Sequence, residues 1–496
     1  RGVYATGWST VTLEGLQIVN GRGSSSEYGE PPGGGGSAVD RSRRAWLVVR
    51  NCVLNRNGGD DGGALYIQGN SLVLEDSQIY SNTTTGTGGG LYTREVVVTM
   101  TNNLIADNHA DSMGGGAWIY ESYAVLNQNT FSNNYSGWDG GGLYTGWGEI
   151  VLKGNQFLDN EADGGGGGMA CGGINPGDTY TLTHNLFQGN LGARNDSTTG
   201  GGLRISASTG FLFFGYNRVL DNVASMTLGP GSGGGGGAAI LGNAVIRGNL
   251  IRDNVACSGL KCNGRGGGLL VRGHVLVDSN TILENVATSQ PCEGFQCANG
   301  MQGGGVFIGN QSAITLTNNV IARNAYADQE RERLDRGGSA LYISAQSSPS
   351  INYAILHHNT IADNDAPAIL NESAILTMSH MIFAGQSTDA KSIVDSSGLG
   401  GLLHTTLDYT LWWPAKGLTA LHGSVITNTN NFVGDPDFWS GSAVFYHLGP
   451  GSAAVNRGPG VGVDHDIDGN VRPIDQAFDL GADEAIYAHI PLVMRH

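Results

Sequence analysis

Apolar and polar residues alternate along this chain in short runs that restart at a fixed interval. After each glycine cluster one apolar column reads Leu65, Leu91, Ala117, Leu143, Met169, Leu203, Ala238, Leu269, Val306 and Leu341. A second, two positions on, reads Ile67, Thr93, Ile119, Thr145, Cys171, Ile205, Ile240, Val271, Ile308 and Ile343. Between them run Tyr66, Tyr92, Trp118, Tyr144, Ala170, Arg204, Ala239, Leu270, Phe307 and Tyr342, a column that admits an arginine. Period-2 alternation predicts the outer two columns inside and the middle one outside. Each run leads into Asn-x-apolar-x-x-Asn, from NLIADN (Asn103–Asn108) and NTFSNN (Asn129–Asn134) to NTIADN (Asn359–Asn364). Copies beginning at residues 51, 77, 103, 129 and 155 are 26 apart, and later intervals stretch to between 30 and 40.

One turn of short strands per repeat satisfies this pattern. A single turn is too small to bury its inner face, and parallel stacking joins those faces into one core. Glycine is expected at the positive-φ corners. The closing asparagines Asn108, Asn134, Asn160, Asn190, Asn222, Asn254, Asn285, Asn324 and Asn364 are expected to bond to one another as a ladder. A leucine-rich horseshoe also repeats asparagine, but glycine triplets would break its helices. The predicted fold is all-β: a right-handed parallel β-helix of about a dozen turns, with a C-terminal β cap and a terminal strand. Its expected organisation is β-helix over 1–405, a capping, anchor-like module over 406–484 and a strand-like tail over 485–496.

Composition narrows the partners. The chain carries 82 glycines, 14% charged residues and a formal charge of −17, and its only lysines are Lys153, Lys261, Lys391 and Lys416. Such a surface repels nucleic acid and anionic lipid, and no apolar run has the length of a membrane span. CSGLKC (Cys257, Cys262) and CEGFQC (Cys292, Cys297) occupy equivalent places in successive repeats. Zinc-type spacing without accompanying histidines reads as disulfides of open pairing, hence an extracellular or cell-surface chain whose leader has been removed.

The pairing of GG-apolar with F-x-x-N, as in GGGLYT and FLDN, resembles the repeats of the polymorphic outer-membrane protein family and related secreted bacterial β-helix proteins. The resemblance implies a surface adhesin or self-associating exoprotein. GDPDFW, YHLGPGSAAVNRG, DHDIDGNVRP and DLGADE resemble the closing module of choice-of-anchor β-helix proteins, which implies a cap ahead of an anchoring tail.

Candidate chemistry is sparse. Asp464, Asp466 and Asp468, followed by Gly469 and with Asp475 at the twelfth position, match the start of a calcium loop, although helices flanking it are not evident. Tyr66, Tyr92, Trp118 and Tyr144 form a predicted outward aromatic ladder, a sugar platform or simply a sheet-stabilising stack. Asn82, Asn134, Asn195, Asn310 and Asn371 head glycosylation sequons. Insertions between the asparagine and the next glycine cluster align along one edge, as an interaction ridge or as tolerated loops. Asp60–Asp61 is the best local acid pair for a hydrolase or lyase, but no basic partner falls in register, and His357–His358 lacks ligand spacing. The expectation is a secreted, non-catalytic structural or adhesive protein, a head-to-tail fibre subunit or an adhesin. Its expected partners are copies of itself or cell-surface glycans. It needs no cofactor, unless calcium. The alternative is a β-helix polysaccharide lyase, hydrolase or glycan-binding protein.

Overall fold

The computed structural model describes residues 3–5, 10–23, 35, 37–39, 46–69, 71–193, 199–226, 232–258, 263–289, 302–326, 338–344, 352–365, 367–385, 392–395, 404–414, 417–420, 424–439, 446–474 and 476–485. Among these there is no helix; the chain forms a 41-stranded sheet with smaller parallel stacks beside it. Each repeat contributes strands to three faces. On the first, Leu65–Gln68, Leu91–Arg94, Ala117–Tyr120 and Leu143–Gly146 pair in parallel, with Leu65, Leu91, Ala117 and Leu143 at one level. The second stacks Ser71–Glu75, Val97–Thr101 and Tyr123–Asn127, and the third Gln78–Tyr80, Leu104–Ala106, Thr130–Ser132 and Gln156–Leu158. This is the parallel β-helix that the spacing predicts. Its inward columns form one core from Leu13 to Trp412, including a file of Phe131, Phe157 and Phe187 with centroids 5.0 and 4.7 Å apart.

The glycine triplet works by two mechanisms. Its first member turns the chain: Gly140 sits at φ 73°, where a Cβ would be strained. Its last member makes room. A Cβ on Gly142 would lie 2.6 Å from the Gly168 carbonyl oxygen of the next turn and 3.1 Å from the Asn160 amide carbon. The cluster and the asparagine therefore recur together because each closing amide occupies the space that a glycine side chain would take. The other corners differ from expectation. They are left-handed but use ordinary residues such as Glu95, Asn102, Asp107, Gln128 and Asn133, all with φ between 52 and 57°. Each precedes or follows a strand held in register on both sides, and that stacking offsets the strain.

Stacking also runs past residue 405. His404–Trp413 pairs with Ala374–Ala384 below and with Val425–Asn428 and Asn431–Val433 above, so the expected boundary falls inside a solenoid strand. The described parts of the C-terminal module, 434–439, 446–474 and 476–485, lie along the flank of the rod. Its Leu448, Ala454, Leu480, Ala482 and Ala485 pack on Leu283, Val320, Ala322, Ala362, Ile382, Ala384 and Leu411 of the third face.

Candidate functional site

The closing asparagines do form a ladder. From Asn82 to Asn364 each Nδ2 donates to the Oδ1 of the next at 2.9–3.0 Å. Each such oxygen also accepts the preceding asparagine's backbone N–H, as Asn160 does from Asn134 at 3.1 Å. The second Nδ2 proton goes to a strand carbonyl, as from Asn108 to Ile79 at 2.9 Å. A second ladder, unforeseen, joins the opening asparagines Asn103, Asn129, Asn155, Asn185, Asn217, Asn249, Asn280, Asn319 and Asn359 at 2.8–3.1 Å. The signal for it was the first Asn of the same hexapeptide.

These ladders correct the sequon reading. Asn82 and Asn134 are rungs with at most 1% exposure, and the fully buried Asn371 donates to Ala374 and Thr405 while accepting from Ala374. None has room for a sugar. Asn310 is half-buried and engaged, and Asn195 lies outside the described residues.

The aromatic column lies outside the core, yet it is not an open platform. Tyr66 stacks on Tyr92 at 4.6 Å and Tyr92 on Trp118 at 4.5 Å, so ring faces cover one another and Tyr66, Tyr92 and Tyr144 are only 4–8% exposed. Burial pushes the Tyr144 phenol up to about 12. Trp118 also stacks on Tyr120 at 4.9 Å, and Tyr120 meets the exposed Trp147 at 5.1 Å with the planes tilted by 36°. Trp147 sits at φ 54° in a corner that glutamate or glycine fills in earlier turns.

The aspartates of the calcium-like loop point to different tasks. Asp466 is fully buried and its oxygens accept from the N–H groups of Asp468, Asn470 and Glu484 and from the Asn470 amide. Asp464 pairs with His465 at 2.8 Å, and Asp475 lies outside the described residues. Asp468 instead joins His447 and Asp483, whose ligand atoms all lie within 4.8 Å of one another, the one such group among the described residues. His447 Nδ1 is 3.1 Å from Asp483 and 3.3 Å from Asp468. Burial would lower the imidazolium, but the two carboxylates raise it above its ordinary value. One nitrogen and two carboxylates suit a transition-metal dication better than calcium, which prefers oxygen alone.

The remaining candidates are dispersed. Asp61 accepts from the Thr87 N–H and hydroxyl at 2.8 and 3.1 Å, which spends it on a corner, and Asp60 accepts through its carbonyl from Thr84. His357 meets Ser379 at 2.6 Å, whereas His358 turns to the C-terminal module. Cys257 is disulfide-bonded to a partner outside the described residues; Cys262, Cys292 and Cys297 lie outside those residues. Cys52 and Cys171 are free and buried. A shallow depression of about 470 Å³ on the second face is lined by His274, Leu276, Thr315, Tyr353 and Ile355.

Residues 1–157 match the family model described as a right-handed β-helix region. Nothing among the curated proteins matches. The parallel stacking continues unbroken in kind to Val433, and the chain is a right-handed parallel β-helix solenoid. No helix among the described residues is long and apolar enough to cross a membrane.

Proposed function

We propose that this protein is a non-catalytic extracellular rod that associates through the ends of its solenoid, as a fibre subunit or an end-displayed adhesin. The observation that carries the reading is the last turn. Val425–Asn428 pairs only with His404–Trp413 among the described residues, and the described part of the module that follows packs on the flank. Thr10–Glu14, at the other end of the stack, likewise pairs on one side only among those residues. An uncovered strand edge is a template for another chain, and a head-to-tail contact that does not close makes a filament. The Cys257 disulfide supports an oxidising compartment. Lysines on an edge block such pairing. Val425→Lys with Thr427→Lys, both exposed on that strand, is expected to abolish higher-order species in sedimentation and electron micrographs while leaving the circular-dichroism spectrum unchanged. Assembly that persists in this variant would refute the role of the edge.

Glycan binding is the second reading, favoured by exposed rings. Trp147 is 41% and Trp138 62% exposed, and indole faces stack on neutral sugar rings. Trp138→Ala with Trp147→Ala is expected to weaken retention on a glycan array about tenfold, by roughly 1.4 kcal/mol. Unchanged retention removes this reading.

A further inference from the structure

Two histidines are buried where the C-terminal module meets the rod. His358 and His380 occupy the same left-handed corner in successive turns, at φ 53 and 57°, and their ring centroids lie 4.6 Å apart with the planes tilted by 34°. Both are fully buried. His358 Nδ1 faces the Asp479 carbonyl at 3.1 Å, while its Nε2 and both nitrogens of His380 have no hydrogen-bond partner. Gly458 lies flat on the His380 ring with no space for a Cβ, and the Pro459 carbonyl faces that ring outside hydrogen-bond geometry. The Gly481 N–H donates to the His380 carbonyl at 2.8 Å and the Ala482 N–H to Thr360 at 3.0 Å. These imidazoles sit inside the seam and accommodate no charge there.

We propose that the described module segments 446–474 and 476–485 form an acid-released strap: protonation of His358 and His380 frees them from the flank and uncovers the apolar strip Leu283, Val320, Ala322, Ala362, Ile382 and Leu411.

The surroundings set the sign. From the rod, His357, Tyr409 and Asp408 face the pair; from the module come Phe478, Arg472 and Asp479. Arg472 opposes protonation. Asp408 favours it, but only at His380 and weakly. The Asp479 carboxylate is turned to the Asn456 and Ala485 N–H groups. Burial first, then Arg472 and the neighbouring imidazoles, holds His358 well below the ordinary value. Burial above all holds His380 at about 4 against an ordinary 6.5. A lowered docked value means docking is intact above 6.5 and weakens as pH falls toward 4. For His380 alone the bias toward release reaches about 300-fold across that window. Burial lifts the Asp479 and Glu484 carboxyls, the latter to about 7, which acts in the opposite sense; substitution of the histidines separates the two effects.

The test uses the full chain with spin labels on Asp253→Cys in the rod and Gln476→Cys in the module, both exposed positions. A second, longer distance is expected at pH 4.5 and not at pH 7.5, with the β signal in circular dichroism unchanged. His358→Asn with His380→Asn is expected to keep the short distance at both pH values. Asparagine suits the left-handed corner, as Asn318 already does in the preceding turn. A single short distance at pH 4.5 in the native sequence overturns the proposal. So does a long-distance population that survives in the double variant, or loss of the β signal together with the distance change.

Discussion

At the scale of the residue, the molecule is organised by an amide that satisfies itself. A ladder asparagine offers two protons and two lone pairs, and Asn160 uses all four. It donates to Asn190 at 3.0 Å and to the Phe131 carbonyl at 2.9 Å, and accepts from the Asn134 amide and backbone. Replacing Asn160 by alanine would leave the Asn134 side chain and backbone donors without an acceptor in a dry interior. Each unsatisfied buried group costs about 1–3 kcal/mol, so Asn160→Ala is expected to destabilise by roughly 3 kcal/mol in urea unfolding followed by circular dichroism. An unchanged midpoint would mean that water fills the gap. The hexapeptide announced both ladders, but only the closing asparagine was expected to form one. The opening asparagine carried no assignment, because asparagine beside a corner serves a turn as readily as a ladder. The glycosylation sequons misled for a related reason: a short motif carries no information about burial, and Asn82, Asn134 and Asn371 are among the least accessible amides in the chain.

At the scale of the element, what was legible was whatever recurs. Inward columns, parallel register and the coupling of glycine to asparagine follow from spacing alone, because neighbours in the stack are repeats in the sequence. The docking of the C-terminal module does not recur, and so it was missed. The outward positions of the third face give only a weak trace of it. The covered turns carry the wholly apolar pairs Val320/Ala322 and Ile382/Ala384 there, but an early turn carries Leu104/Ala106, and Leu158, Leu186, Leu220 and Leu250 stand beside polar neighbours in others. The aromatic column failed in the opposite direction. Alternation correctly set Tyr66, Tyr92 and Trp118 outside the core, but identical rings one strand spacing apart stack face to face and leave only edges exposed. The calcium-like spacing was similarly local, since Asp466 caps its own turn and Asp468 finds its partners, His447 and Asp483, from distant parts of the module.

At the scale of the whole molecule, rod and module are joined by a connected polar cluster along one corner beside the apolar strip, where Asn318 and Arg472 both donate to the His465 carbonyl. Arg472 is fully buried, bonded to Glu484 at 2.6 Å and reaching the rod through Asn318 at 3.4 Å. Near the start of the contact His465 bridges Asp278 at 3.2 Å and Asp464 at 2.8 Å, and Arg247 holds the same Asp278 at 2.7 Å. Burial would lower the His465 imidazolium, but its hydrogen bonds to Asp464 and Asp278 raise it above 6.5 despite Arg247. A raised docked value stabilises the protonated, docked form. That contribution is fully present below 6.5 and is lost as pH climbs through the docked value. The acid limb set by His358 and His380 is therefore matched by an alkaline limb of opposite sign, and the seam should be tightest between them. Hydrogen exchange at the Gly481 and Ala482 amides, corrected for the intrinsic pH dependence, reads the opening. From pH 6 to 9 it is expected to rise in the native protein by up to about tenfold per pH unit while His465 titrates. In His465→Asn the rise above pH 7.5 should vanish, with a higher opening rate there, and only the smaller rise from loss of the Glu484 proton should remain below it. Equal slopes in the two proteins would assign the alkaline limb to another group.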